Sequence, residues 1–160
     1  MKKVKVTKHI SNSVAVSSDS ERMVNDSQVV KYYIKGRRHI IDELRSNKKS
    51  NEILERFSKI SAISNKLLAE KIFEISPKTL HTYKNSDKIL PVRINEQVLK
   101  LEELYKKGVE LFESTQQFNK WLKMESYGLG NIKPIDMFNS ITGIDLVYEE
   151  LIRIEFGATA

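Results

Sequence analysis

The residues best suited to chemistry in this sequence lie in a short helix that is predicted to begin at Pro77. Ser76 followed by Pro77 is a strong helix-start signal, because Ser caps the first turn and Pro needs no amide hydrogen there. The segment 77–85 holds few apolar residues and many polar ones, which suits a helix that lies in a groove of DNA. Hydroxyl, imidazole and ammonium groups bind phosphates or base edges. The predicted DNA contacts are Lys78, Thr79, His81, Thr82 and Lys84.

The residues before this segment complete a helix-turn-helix pattern. A helix with a buried apolar side is predicted to end near Phe73, and residues 74–76 form the turn before the polar helix. Two copies of this motif commonly read two half-sites of an operator, so we expect a homodimer on operator DNA. From this pattern alone, an ordinary solvated helix and a helical interaction adaptor without a DNA role are the alternatives.

The charge of the 160-residue chain is divided unevenly. Residues 1–90 hold 19 Lys and Arg against 10 Asp and Glu, whereas residues 91–160 hold 8 against 11, within chain totals of 27 and 21. A basic half joined to a mildly acidic half predicts two different partners, one of them a polyanion. Uneven surface charge without any partner is the alternative.

Composition points away from several classes of protein. No apolar run approaches the ~18 residues of a membrane span. The basic start at Met1 has no apolar segment behind it, unlike a signal peptide. The chain has no Cys, so disulfides and thiolate metal sites are excluded. We expect a cytoplasmic protein with no membrane partner, no small-molecule substrate, no metal and no cofactor.

No catalytic set of residues emerges. The three histidines are scattered over the basic half and have no partners at helical spacing: His9, His39 and His81. In the adjacent pairs Glu102-Glu103 and Glu149-Glu150 the two side chains point about 100° apart on a helix. We interpret both pairs as solvated helix faces and predict that the chain is not an enzyme.

The apolar periodicity predicts an all-α fold. Its longest helix is predicted to be capped by Asn95, with Lys107 on the solvated face. Ser114 is predicted to cap the next helix, because Gln three residues on completes a capping pattern. Phe118 and Trp121 on that short helix are predicted to be core residues.

The C-terminal third carries a spaced set of uncommon residues. In order, they are Phe118-x-x-Trp121-Leu122, Leu129-Gly130, Pro134, Gly143 and Arg153-Ile154-Glu155-x-Gly157. This set resembles the toxin-binding domain of the Xre/MbcA/ParS antitoxins. Upstream, Ile75-Ser76-Pro77-Lys78-Thr79-Leu80 is similar to the start of the recognition helix in that family. The resemblance covers approximately residues 50–160.

Two positions depart from the family pattern. Asn131 follows Leu129-Gly130 where the family has a second Gly, and Asn tolerates the left-handed backbone conformation of such a turn. Thr82-Tyr83 stands where the recognition helix of the family often carries paired Arg.

The resemblance implies an antitoxin of a type II toxin–antitoxin pair. It implies a RES-domain toxin as partner, which depletes cellular NAD, and a C-terminal antitoxin segment that covers the toxin's active site. It also implies repression of the antitoxin's own operon through the helix-turn-helix. The residues implied to bind the toxin are Arg153, Glu155, Phe156, Gly157, Ala158, Thr159 and Ala160.

The last four residues have a composition that fits this role. Residues 157–160 are small and uncharged, so they can enter a narrow cleft without desolvating a charged side chain. A frayed terminus is the alternative for this segment. For the whole chain, the alternative is a helix-turn-helix transcription regulator whose C-terminal domain dimerises and has no toxin partner.

These observations predict an Xre-like helix-turn-helix bundle that is continuous with a C-terminal helical toxin-binding domain. The predicted organisation has four parts. They are a flexible basic N-terminal arm at 1–27, additional N-terminal helices at 28–49, the helix-turn-helix DNA-binding region at 50–90 and the toxin-binding domain at 91–160.

Overall fold

Helices make up the regular structure in the part of the chain that the structure describes. The structure is a computed structural model, and it describes residue 38 and residues 40–46 and 49–157. Within these residues, the β-type pairing is a single isolated bridge between Ser126 and Ile132. The all-α prediction is confirmed there. The predicted arm at 1–27 lies outside the described residues, and of the predicted helices at 28–49 the structure describes helical residues at 40–45.

A succession of helices and 3₁₀ turns occupies residues 50–155. The elements are α1 (Ser50–Ser61), α2 (Asn65–Leu67, continued by the π-helix Leu68–Phe73), α3 (Pro77–Lys84), α4 (Val92–Phe112), α5 (Thr115–Trp121), the 3₁₀ turns Tyr127–Leu129 and Pro134–Met137, and α6 (Ile141–Glu155).

Serine side chains cap the starts of four of these helices. Ser64, Ser76, Ser114 and Ser140 each accept a hydrogen bond from the backbone N–H three residues further on. Each cap satisfies one of the amide groups that have no partner inside the helix. The predicted caps at Ser76 and Ser114 are confirmed, as is Pro77 in the first turn of α3.

Helix α4 begins earlier than the sequence predicts. Pro91 precedes it with φ −52° and ψ 139°, and the Asn95 N–H already donates to the Pro91 carbonyl oxygen at 3.0 Å. The prediction that Asn95 caps α4 is wrong, because Asn95 lies inside the helix and is buried. No side chain caps the start of α4 at Val92, so capping residues in the sequence do not predict this start.

Helix α4 forms the centre of one hydrophobic core. Its residues Val98, Leu101 and Leu104 are fully buried in a cluster that also includes side chains of α1, α2, α5 and α6. Tyr105 stands edge-on to Phe57 of α1 and to Phe118 of α5, with ring centroids 5.7 and 5.1 Å apart. Edge-to-face pairs of this kind add stability beyond the apolar area that they bury.

Polar side chains of α4 bind the carbonyl groups at the end of α2. Gln97 Nε2 donates to the Ile72 oxygen at 2.7 Å and to the Phe138 oxygen at 2.6 Å. Arg93 Nη2 donates to the Phe73 oxygen at 2.7 Å. The last carbonyls of a helix need partners from outside it. The Gln97 amide therefore joins the end of α2 to the turn that precedes α6.

Charged residues of α4 that were expected to be solvated lie against neighbouring helices. Lys107 is only 5% exposed, and its Nζ donates to Glu155 Oε1 at 2.6 Å. Glu102 accepts hydrogen bonds from Arg56 of α1 at 2.8 and 2.6 Å, which raise the pKa of the Arg56 guanidinium. The predicted solvated faces are wrong at Lys107 and Glu102, because other helices cover more of α4 than its apolar stripe alone indicates.

Candidate functional site

The polar helix α3 is held against the bundle by its one fully buried side chain, Leu80. The turn before it includes Glu74 in the left-handed conformation, with φ 55°, and the Ile75 N–H donates to the Ala69 oxygen at 2.9 Å. The predicted helix, turn and second helix therefore occur at the predicted positions. The first turn of α3 is exposed to solvent.

The five predicted DNA contacts of α3 fall into two groups. Lys78, Thr79 and His81 are exposed, whereas Thr82 and Lys84 are partly buried. The Thr79 hydroxyl is 2.8 Å from the Ser76 hydroxyl, and the Thr82 hydroxyl donates to the Lys78 carbonyl oxygen at 3.0 Å. The exposed group can reach a ligand outside the bundle without rearrangement of the helix.

The Lys84 ammonium lies against the two preceding helices. Its Nζ donates to Ser58 Oγ of α1 at 2.7 Å and to Asn65 Oδ1 of α2 at 2.6 Å. Burial lowers the pKa of Lys84, and the nearby Glu55 carboxylate opposes that shift. At about 100° per residue, Lys84 lies about 120° around the helix from Lys78. Lys84 therefore ties the end of α3 to the two preceding helices.

The second set of predicted site residues lies at the end of α6. Arg153, Glu155, Phe156 and Gly157 are exposed, while the preceding residues of α6 pack into the core. Gly157 has φ 70°, a conformation that glycine adopts without strain. The predicted contacts Ala158, Thr159 and Ala160 lie outside the described residues. The chain thus leaves the core at Phe156.

Both charged residues of this set are held by ion pairs within the chain. Glu155 accepts the hydrogen bond from the buried Lys107 of α4, and Arg153 Nε donates to Glu150 Oε2 at 2.8 Å. The Lys107–Glu155 pair ties the last turn of α6 to α4, whereas the Arg153–Glu150 pair lies within α6.

A loop between α5 and the second 3₁₀ turn packs against the same part of α6. The Ser126 hydroxyl donates to Glu150 Oε1 at 2.9 Å, and a Cβ on Gly128 would lie 2.2 Å from Glu150 Oε2. Gly130 and Asn131 have φ 69° and 61°, so the expected left-handed turn at Asn131 is confirmed. The predicted solvated face is wrong at Glu150, which is only 8% exposed.

The aromatic residues before this loop form its support. Phe118 is fully buried, and Trp121 stacks on it at a ring-centroid distance of 5.8 Å. Phe112 lies 5.4 Å from Trp121 in the same stack. A Cβ on Gly108 would lie 2.3 Å from the Phe118 ring, so α4 and α5 approach closely only because Gly108 has no side chain. These residues pack beneath the loop and support it.

A family of known proteins matches this part of the chain. Residues 107–157 match the family described as the antitoxin Xre/MbcA/ParS C-terminal toxin-binding domain. This segment, from the last turns of α4 to just after the end of α6, is a toxin-binding domain of that family. The match supports an antitoxin role for the chain and a toxin as its partner.

No curated protein matches the chain. Among residue 38 and residues 40–46 and 49–157, no helix is both long and apolar enough to cross a membrane.

Proposed function

We propose that this antitoxin neutralises a RES-type toxin, which depletes NAD, by covering the active site of that toxin. We also propose that two copies of the chain bind operator DNA and repress transcription of their own operon. The match of residues 107–157 to the toxin-binding domain carries the proposal. The RES class of toxin comes from the sequence resemblance described above.

The end of α6 supports occlusion of an active site. Phe156 is 40% exposed and Gly157 is exposed, directly after the last helical residue. The sequence continues with the small, uncharged residues Ala158, Thr159 and Ala160. A segment of this composition can enter a narrow cleft at little cost in desolvation. Arg153 and Glu155 would lie at the mouth of that cleft.

The first turn of α3 supports operator binding. Lys78, Thr79 and His81 are exposed together on a helix that begins with a capped and exposed first turn. Residues at the N-terminal end of a recognition helix contact base edges, and Lys and Thr also bind phosphates. Thr82 and Lys84 would contribute from the sides of the helix.

Truncation of the chain after Glu155 tests the division between these two activities. The variant keeps the ion pair between Lys107 and Glu155, so we expect the bundle to stay folded. We expect it to lose neutralisation, measured as growth and cellular NAD when it is co-expressed with the protein encoded by the neighbouring reading frame. Binding to the promoter fragment in a gel-shift assay should be retained. The full-length chain is the control.

Three results would contradict the proposal. Full neutralisation by the truncated chain would exclude occlusion by the C-terminal segment. Growth arrest by the neighbouring protein without a fall in NAD would exclude a RES-type toxin. A neighbouring protein that neither arrests growth nor binds the chain would favour a transcription regulator that has no toxin partner.

A further inference from the structure

The loop after α5 exposes large apolar side chains although its backbone is held firmly. Tyr127 is 77% exposed, Met124 is 56% exposed and Ile132 is 47% exposed. Side chains that are about half or more exposed bury little apolar surface against the core beneath them. Tyr is enriched among residues that dominate binding energy at protein interfaces.

Several contacts hold the backbone of this loop in one conformation. Ser126 pairs with Ile132 in the isolated bridge, and the Asn131 N–H donates to the Ser126 oxygen at 2.9 Å. The Ser126 hydroxyl is bound to Glu150 of α6, and Gly128 lies against the same carboxylate. A partner that binds the exposed side chains would therefore not have to order the loop first, which lowers the cost of binding.

The loop lies beside residues of α6 that point away from the core. The Glu150 carboxylate joins the two elements, since Oε1 accepts from Ser126 and Oε2 accepts from Arg153. Leu146, about one helical turn before Glu150, is 39% exposed. The loop and α6 thus lie side by side, and we call their exposed side chains the Tyr127 face. It consists of Met124, Tyr127, Ile132, Leu146 and Arg153.

We propose that the Tyr127 face is a second docking surface for the toxin, in addition to the C-terminal segment. The inference rests on the proposed function. All five residues fall within the segment 107–157 that matches the toxin-binding domain, which favours the toxin as the partner over DNA or a second copy. The fitting surface on the toxin is an apolar pocket that receives the Tyr127 ring, with an acceptor group placed for the outer nitrogens of Arg153.

In this arrangement, two parts of the antitoxin contribute to toxin binding in different ways. The rigid Tyr127 face supplies affinity, and the C-terminal segment reaches the active site. Linking two contacts in one chain makes the second contact intramolecular, so a weak tail can act at a high effective concentration.

Substitution of Tyr127 by Ala tests the inference. The dissociation constant is measured by calorimetry between the full-length antitoxin and the purified protein encoded by the neighbouring reading frame. We expect Tyr127→Ala to weaken binding about 30-fold, as loss of an interface hot spot does. Tyr127→Phe should retain most of the affinity because it keeps the ring. Val92→Ala is the matched control, since Val92 is 73% exposed and lies outside the matched segment.

The outcomes separate this inference from the proposed function. If the unmodified antitoxin binds and Tyr127→Ala binds equally well, the Tyr127 face is not the docking surface and the proposed function stands. If the unmodified antitoxin does not bind, the proposed function fails and the inference fails with it. Unchanged thermal unfolding of Tyr127→Ala excludes loss of structure as the cause of weaker binding. A photo-crosslinking benzoyl-phenylalanine at position 127 should capture the toxin, and one at position 92 should not.

Discussion

Lys78 and Lys84 belong to the same short helix, yet their ammonium groups have different surroundings. Lys78 is exposed, whereas Lys84 donates hydrogen bonds to Ser58 and Asn65 of the two preceding helices. From the sequence alone, both residues are predicted to contact DNA. At the scale of single residues, the structure gives Lys84 an additional task within the bundle, which is to hold α3 in place.

Substitution of each lysine by Ala should separate these tasks. Lys78→Ala should reduce the salt dependence of operator binding by about 0.9 in slope per copy, with stability changed by less than about 0.5 kcal/mol. Lys84→Ala should lower the free energy of unfolding by about 1 kcal/mol, because it removes two partly exposed hydrogen bonds of a charged donor. Gel shifts at several salt concentrations and urea unfolding measure the two effects.

The reverse pattern would contradict this assignment. A Lys84→Ala chain of unchanged stability would show that the hydrogen bonds to Ser58 and Asn65 do not hold α3 in place. Lys123→Ala is a suitable control, because Lys123 is exposed and lies far along the chain from α3.

At the scale of elements, the Gln97 amide joins the two halves of the described structure. It donates to Ile72 at the end of α2 and to Phe138 before α6, and its side chain is only 1% exposed. Its Oε1 has no hydrogen-bond partner among the described residues. The fold therefore depends on the amide nitrogen of Gln97, because this group donates hydrogen bonds to two carbonyl oxygens inside the core.

Substitutions at Gln97 should follow a fixed order of stability. Gln97→Leu removes both hydrogen bonds and should lower the free energy of unfolding by about 2 kcal/mol, since buried carbonyl groups lose their partners. Gln97→Glu should be worse, because an ionised carboxylate would face two carbonyl oxygens without donating to them. Urea unfolding measures the order. If Gln97→Glu were as stable as the unmodified chain, the donor role of Gln97 would be refuted.

At the scale of the whole molecule, the predicted boundary at residues 90 and 91 divides a shared core. One face of α4 binds α1 and α2 through Gln97, Glu102 and Tyr105, and another binds α5 and α6. The proposed DNA-binding and toxin-binding surfaces therefore share one core, which α4 spans.

This shared helix predicts how fragments of the chain will behave. Residues 91–160 alone should not unfold cooperatively on heating, because the face of α4 that covers α1 and α2 would be exposed to water. Residues 49–160 should unfold in one cooperative transition. Circular dichroism melts of both fragments measure this. A cooperative transition of residues 91–160 would show that the toxin-binding part has an independent core.

Local sequence signals predicted much of the fold and of α3. The Ser76 cap, the Pro at the start of α3, the Ser114 cap and the left-handed turn at Asn131 depend on residues that are close in sequence. Their physical causes are local as well, since they are backbone dihedral preferences and hydrogen bonds across three residues. The spaced residues from Phe118 to Gly157 carry the resemblance to the toxin-binding family, and residues 107–157 match that family.

Only the tertiary structure decided which charged residues are buried and which apolar residues are exposed. The sequence predicts solvated side chains at Lys107, Glu102 and Glu150. In the structure, each of them is covered and binds a residue of another element or turn. Tyr127 carries a large aromatic side chain, and it is 77% exposed. Burial depends on which elements cover each face, and contacts between residues 24 to 48 positions apart have no local signal. The exposure of the Tyr127 face is therefore decided by contacts between elements that are distant in sequence.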